Sequence, residues 1–450
     1  MPHLELGGDV SIFYDFPHGA DSSKPSVVLL APSFLNATFL KPYVDALSEA
    51  YSCCTIELRG QGRTTGGASP YYDYFVAAAD LAFVMDALHL PPSHILAPGI
   101  TAFRTALDFA ILFPDQALSF SFVGASSLFG APRNAAAFEE VDTIWGTCDD
   151  TDLWVECIGA VGEYLFTTEE GREQVWDTAL PSIARRYNPY RPEDIFISTK
   201  PNHKVDSRIT PALLAQIKQP ILLIHGDRDL CFPIEDVREL QRCFASSEDV
   251  RFHVEPDAPQ LVAITHTDTV IPRVRSFLDD HRGRTRPYEP LDKRAALRRA
   301  AAVAPDVDLS SRDPLQSDSF SLVSSLEREK NRLLWDKTTT HARSLQAVMP
   351  MCFEREDWEK GAEEERRWTW TGRNDYAQQH YARRPSSQLA SGDGIVTVVE
   401  VTESRGAIPN GVTGARSTSV ESRRSSTEAN IAADGTSAPV EALAALRVSE

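Results

Sequence analysis

Along the first 280 or so residues, short apolar runs rich in Val, Ile, Leu and Phe alternate with stretches whose apolar residues recur at helical spacing. The runs SVVLLAPS (26–33), CCTIEL (53–58), SHILAPG (93–99), LSFSFVGAS (118–126), PILLIHGD (220–227) and VRFHVEPD (250–257) are nearly continuous. A strand covered on both faces reads this way, whereas a half-exposed strand alternates. The pattern therefore predicts a mostly parallel sheet flanked by helices. The stretches 39–50, 77–90, 105–113 and 234–245 supply those helices, and 268–281 closes the series.

Two intervals break the alternation. From 132 to 218 the chain holds helix-like segments with Trp145, Trp154, Tyr164, Phe166 and Trp176 and no clear strand. It reads as an inserted helical cap that splits the core into 1–131 and 219–283. From 284 to 450 the composition shifts to Arg, Ser, Thr, Glu and Ala with few apolar clusters. Such a segment buries too little surface to offset chain entropy, and the expectation is a largely disordered tail. Within it, Leu322, Val323, Leu326, Leu333, Leu334 and Trp335 place a partly amphipathic helix in 318–370, either solvated or docked.

The chain has 450 residues, of which 42% are hydrophobic and 24% charged, enough for one large domain and something extra. Its net charge of -19 argues against a nucleic-acid groove or an anionic membrane surface, both of which need clustered Lys and Arg. A neutral or cationic small ligand fits better. The seven cysteines, Cys53, Cys54, Cys148, Cys157, Cys231, Cys243 and Cys352, form no CxxC pair, and reduced thiols are expected. Segment 1–16 shows no secretory leader pattern, and no stretch reaches the roughly 18 apolar residues of a membrane span, so a cytoplasmic protein is the expectation. Asn36-Ala37-Thr38 matches a glycosylation sequon by chance in that setting.

Several ordered features carry a resemblance. Glu57-Leu58-Arg59-Gly60-Gln61-Gly62-Arg63-Thr64 is similar to a D-x-R-G-x-G-x-S turn. Segment 80–90 precedes a strand and turn, and Ala106-Leu107-Asp108-Phe109-Ala110 through Phe113-Pro114 follows them. Gly226-Asp227-Arg228-Asp229 through Pro233 is similar to G-x-x-D-x-x-x-P. Over residues 5–281 the chain resembles the α/β-hydrolase superfamily, in particular capped epoxide hydrolases, lactonases and esterases. The resemblance implies an eight-stranded sheet and a Ser–His–Asp triad, with neither metal nor cofactor.

The triad positions depart from that pattern. The resemblance puts the nucleophile on a strained strand-to-helix turn, here Leu96-Ala97-Pro98-Gly99-Ile100-Thr101-Ala102, with Gly99 at its tip. A second register puts Thr101 there, but Phe103 two residues on is too bulky for the strand crossing. The base position, in Asp257-Ala258-Pro259-Gln260-Leu261, is Gln260. An amide cannot take up a serine proton near neutral pH. Asp229 alone keeps its chemistry, with a hydrogen bond to the Gln260 amide or to loop backbone as its expected role. Ala31-Pro32-Ser33 replaces the oxyanion-loop motif, so the Ser33 and Ile100 N–H groups are the candidate oxyanion donors. Trp145 is the preferred ligand contact from the cap. His225, His253 and His266 read as structural or surface residues, and Ser126 and Ser127 as loop residues.

Three functions follow from this reading. One is a pseudoenzyme that binds a small apolar or ester-like ligand, or a partner, without turnover. Another is an ester, lactone or epoxide hydrolase of unorthodox chemistry through Asp229, Thr101 or the substrate itself. The third is a regulatory protein acting through its tail, where Arg383-Arg384-Pro385-Ser386-Ser387 and Arg423-Arg424-Ser425-Ser426 look like basophilic kinase sites.

Overall fold

The computed structural model describes residues 3–126, 144–145, 151–166, 173–187, 191–199 and 208–348. Strands β1 (His3–Gly7) and β2 (Val10–Asp15) form an antiparallel hairpin, and β2 pairs antiparallel with β4 (Ser52–Ile56). From β4 onward the sheet is parallel through β3 (Ser26–Leu30), β5 (Ser93–Pro98), β6 (Ala117–Val123), β7 (Ile221–Gly226) and β8 (Val250–Glu255). The eight strands lie in the order β1-β2-β4-β3-β5-β6-β7-β8. Every residue of β3 to β7 is buried, which is why these segments are nearly continuous apolar runs. Two of the polar exceptions meet across neighbouring strands. His94 of β5 faces Ser119 of β6 in register, its Nδ1 2.7 Å from the hydroxyl.

Helices α1 (Lys41–Leu47), α2 (Tyr74–Ala87), α3 (Gly99–Leu112), α7 (Ile234–Cys243) and α8 (Thr267–Asp280) cover the sheet. One apolar core joins the sheet to α2, α3 and α7, and the other to α1, α8 and the inserted helices. Those inserted helices, α4 (Thr151–Phe166), α5 (Glu173–Arg186) and α6 (Pro192–Thr199), lie between β6 and β7. Among the described residues of 132–218 no strand occurs.

The chain after 283 corrects one expectation. From 284 to 340 it is a folded strap against the domain, with helices α9 (Lys293–Val303) and α10 (Ser325–Val348). Its apolar residues are sparse, yet Ala296, Ala300, Ala304, Leu309, Phe320, Leu322 and Val323 are all buried. A segment that covers an existing core needs apolar contact on one side only, so a low apolar fraction sufficed. Phe320 stands edge-on to Phe83 and beside Phe113. The Asp86 carboxylate accepts from Tyr288 and from the Leu291 N–H, and pairs with Lys293. Arg299 donates to the Leu112 carbonyl at 2.6 Å.

Helix α10 begins with a capping box between Ser324 and Glu327. Its inner face sets Leu334 and Trp335 against Tyr72, Val76, Phe196 and Ile197, with Trp335 and Phe196 ring centres 5.2 Å apart. Leu326 and Leu333 face outward. Residues 349–370 of the expected helix, the two Arg/Ser tracts, Ser127, Cys148 and Cys352 lie outside the described residues. Asn36 is buried and its side chain accepts from the Thr38 N–H. Among the described residues no helix is long and apolar enough to cross a membrane. Burial pushes the Cys53 thiol up to about 12 and raises Cys54 as well, so both stay protonated.

Candidate functional site

Strand β5 ends at Pro98, and the chain turns into α3 at Gly99 with φ of +73°. That backbone region costs any residue with a Cβ about 1 kcal/mol or more. Space is restricted as well. A Cβ at 99 would stand 2.7 Å from Leu261 Cδ2 and 2.9 Å from Ser33 Oγ. A side chain at the place where the resemblance puts a nucleophile would therefore require the end of Leu261 and the Ser33 hydroxyl to shift. Thr101 sits two residues beyond the bend, within the first turn of α3.

Helix α3 receives no cap from Pro98. Ser33, from the loop after β3, supplies one at long range, its hydroxyl accepting from the Thr101 N–H at 3.0 Å. Ser33 thus meets the elbow through its side chain, a role the sequence did not reveal. Phe34 follows with φ of 62°, and its ring packs against Trp145 and Tyr187 at centroid distances of 6.1 and 5.6 Å. Trp145 is only 1% exposed and also touches Tyr187. It belongs to an aromatic wall beside Ser33 and Ile100, with no open face toward solvent.

The remaining candidates gather where β6, β7 and β8 end. Gln260 is fully buried, and its Nε2 reaches the Gly124 carbonyl at 3.5 Å while Oε1 has no partner. The two loops cross so closely that a Cβ on Gly124, whose φ is +80°, would lie 2.3 Å from the Gln260 carbonyl oxygen. Asp229 Oδ1 accepts from the Cys231 and Phe232 N–H groups at 2.9 and 3.0 Å, so its bonds go to loop backbone. Its Oδ2 is closed off from solvent without a partner. Burial raises the Asp229 pKa, opposed by His225 and by those two N–H donors.

His225 is buried between two carbonyls, with Nδ1 3.0 Å from Ala125 O and Nε2 2.9 Å from Phe232 O. Neither ring nitrogen is free to act as a base. His253, on the last strand, faces Arg273 of α8, and His266 stands at the N-terminal end of α8 without a side-chain cap bond, its Nδ1 2.9 Å from the Thr265 hydroxyl. Ser126 is buried with its hydroxyl unpartnered. One residue escaped the sequence reading, and a second was legible there only as one of the cap aromatics. Leu261 lies against the elbow and donates its N–H to the Leu165 carbonyl of α4 at 3.0 Å. Tyr164, on the same helix, is buried beside Asp229 and Cys231, and burial raises its pKa. Leu261 directly follows Gln260, so an apolar residue next to the base position was the available signal.

Among the described residues, no cluster of three or more His, Cys, Asp or Glu side chains forms a metal site. The structure brings Ser33, Gly99, Thr101 and Leu261 together on one side, and Gln260, Asp229, His225 and Ser126 on the other. What it offers chemically is a capped helix end and buried acceptors.

No family model matches the chain. Over 112 residues, 24% of this chain, it is 30% identical to RutD of Caulobacter vibrioides, a protein named provisionally for carbamate hydrolysis. The match spans 41% of RutD's length, so the chain covers well under half of that relative. A thermophilic esterase from Thermogutta terrifontis superimposes with a TM-score of 0.51 at 18% identity, covering 61% of this chain and 94% of the esterase. A carboxylesterase structure from Nitrososphaera gargenis gives 0.52 at 16% identity, covering 62% and 98% respectively. An α/β hydrolase from a deep-sea metagenome of the Medee basin gives 0.52 at 14% identity, covering 60% and 94%. With this sheet order, the strand-to-helix elbow at Gly99 and these neighbours, the chain has the α/β-hydrolase fold.

Proposed function

We propose that this chain is a non-hydrolytic α/β-hydrolase-fold protein whose helical insertion caps a site for a small ligand. One observation carries the reading. The bend carries a glycine with φ of +73°, and any side chain there would have to displace the ends of Leu261 and Ser33. Gln260 in the base position supports it, because its amide accepts no proton near neutral pH. Loss of a nucleophile or a base alone typically costs on the order of a millionfold in turnover, and here both are missing.

The neighbours' esterase chemistry and RutD's carbamate assignment give the substrates to test. Wild-type protein is expected to leave p-nitrophenyl acetate, p-nitrophenyl butyrate and a phenyl carbamate at the buffer rate. Gly99→Ser with Gln260→His is expected to gain nothing while Leu261 stands against the elbow. Adding Leu261→Ala to that pair is expected to give the first measurable esterase activity. Turnover by the wild-type protein, abolished by one substitution among the residues around Gly99, would overturn the proposal.

A second reading, hydrolysis through Asp229, draws on the unpartnered Oδ2 of that residue. An Asp229→Asn variant separates the two, since only the second reading ties activity to that carboxylate.

A further inference from the structure

Helix α6 of the insertion has eight residues, too few to hold helical form without neighbours. Of its three large apolar side chains, Ile195 lies in the second main core, with α1 and α8. Phe196 and Ile197 lie elsewhere. They share a small apolar cluster with Tyr72 and Val76 of the core and with Leu334 and Trp335 of the strap, the Trp335 ring standing edge-on to Phe196. That cluster is separate from both main cores. On its other side α6 rests on the turn after β4. Ser198 donates to the Gly60 carbonyl at a long 3.4 Å, and a Cβ on Gly60, whose φ is +77°, would lie 2.6 Å from Ser198 Oγ and 2.9 Å from Ile197 Cγ1. Insertion, core and strap thus meet at one small cluster of their own.

The strap is anchored unevenly. Its first part, from α9 to Leu322, is buried in the core that joins the sheet to α2 and α3. Helix α10 is not part of that core. Leu334 and Trp335 are half-buried on its inner face, while Leu326 and Leu333 face outward. Its polar hold is on the loop before α2, where Asn331 Nδ2 donates to the Pro70 carbonyl at 3.0 Å and the Arg328 guanidinium lies over the Tyr71 ring. Neither contact reaches the sheet. An element with few buried apolar contacts opens locally while the rest of a domain stays folded, because only its own satellite cluster is lost. Undocking α10 would therefore strip Phe196 of its ring partner and leave both main cores intact.

From this arrangement we infer that α10 is a latch on the insertion: docked, it keeps α6 seated on the turn at Gly60, and undocked, it loosens α6 while the sheet stays folded. The observation that carries it is the shared cluster, which gives α10 and α6 apolar contacts that stand or fall together. The latch sets how readily this part of the insertion leaves the core. It depends on no statement about what the elbow binds or whether it hydrolyses anything.

Hydrogen–deuterium exchange of the full chain, read by mass spectrometry, tests it. The peptides compared cover α10 up to Thr340, α6, and the strands β5 and β7. The test variant carries Leu334→Ala with Trp335→Ala on the inner face of α10, and Leu326→Ala with Leu333→Ala on the outer face is its control. The inner pair is expected to speed exchange about tenfold or more in both α10 and α6 and to leave β5 and β7 within about twofold of wild type. The outer pair is expected to leave α6 unchanged. Acceleration confined to α10 would show a helix that merely rests on the insertion, and equal acceleration of the strands would show a general prop of the domain. Either result overturns the inference, as does no acceleration at all. If the inner pair does not fold, wild type decides: urea well below the unfolding midpoint is expected to speed exchange of α10 and α6 together, ahead of the strands. An α6 that follows the strands instead overturns the latch.

Discussion

Arg59 and Gln260 are both buried polar residues at loops after strands, and they are finished to different degrees. The Arg59 guanidinium makes five hydrogen bonds: two to the Asp80 carboxylate at 2.6 and 2.8 Å, and one each to Gly67 O, Asp318 and Ser317. Burial alone would lower its pKa, but Asp80 and Asp318 raise it, and the group is held charged. Gln260, equally buried, makes one long bond and leaves its oxygen unpartnered. Nearly all buried polar groups in folded proteins find partners, and the two residues differ in how far they meet that rule.

The largest expected effect tests the finished side. Arg59→Ala leaves the Asp80 carboxylate buried without its partner and frees Asp318 and Ser317 of the strap. Breaking such a pair from one side typically costs about 3–5 kcal/mol. Urea unfolding of the full chain should show a loss of that size. Arg59→Lys should recover only part of it, because an ammonium cannot grip both Asp80 oxygens as the planar fork does. A loss below about 1 kcal/mol would mean the strap and α2 hold without this cluster.

That cluster also shows what the sequence hid. Arg59 was legible as part of a turn motif, and the sheet was legible because strands covered on both faces must be apolar throughout. The bend at Gly99 was legible too, since Pro98-Gly99 closes an apolar run before a helical pattern. Asp318 and Ser317 were not, because they lie in a polar segment whose few apolar residues gave no sign of a core beneath them. The same blindness covered Leu261 and the capping role of the Ser33 hydroxyl, a residue singled out in the sequence only for its N–H. A side chain that packs on a distant turn, or caps a distant helix, obeys no local period, so only the folded geometry brings it to Gly99.

His94 lies between the two extremes, with Nδ1 on the Ser119 hydroxyl and Nε2 buried without a partner. Burial, with smaller contributions from His281 and Arg284, lowers its pKa to about 4. An unfolded chain holds histidine near 6.5. Between those values the unfolded state binds the extra proton and the folded state does not, so stability falls as pH drops. From pH 6.5 to 4 the loss is about 3 kcal/mol, and above 6.5 this residue contributes no slope. Unfolding free energies measured from pH 4 to 7 should show that slope, and His94→Gln should flatten it. An unchanged slope in the variant would assign the acid sensitivity elsewhere.

The smallest effect tests the unfinished side directly, and its sign is opposite to that of Arg59→Ala. Burial raises the Asp229 pKa, so the folded state holds this proton more tightly than the unfolded state does. The contribution to stability is then present at low pH and lost as pH rises through the folded value. At neutral pH the carboxylate is a burden, because Oδ2 has no partner. Asp229→Asn removes the charge and keeps Oδ1 for the Cys231 and Phe232 N–H groups. The amide trades an unpartnered oxygen for an unpartnered N–H, so the gain comes only from removing the charge that burial disfavours, and about 1 kcal/mol at pH 7 is expected. The gain should shrink as pH falls through the raised folded value and vanish below the ordinary carboxylate range, where wild type is protonated in both states. Ester turnover should not change. A loss of stability at pH 7 would show Asp229 to be as fully engaged as Arg59, and the contrast between the two clusters would fail at its weaker member.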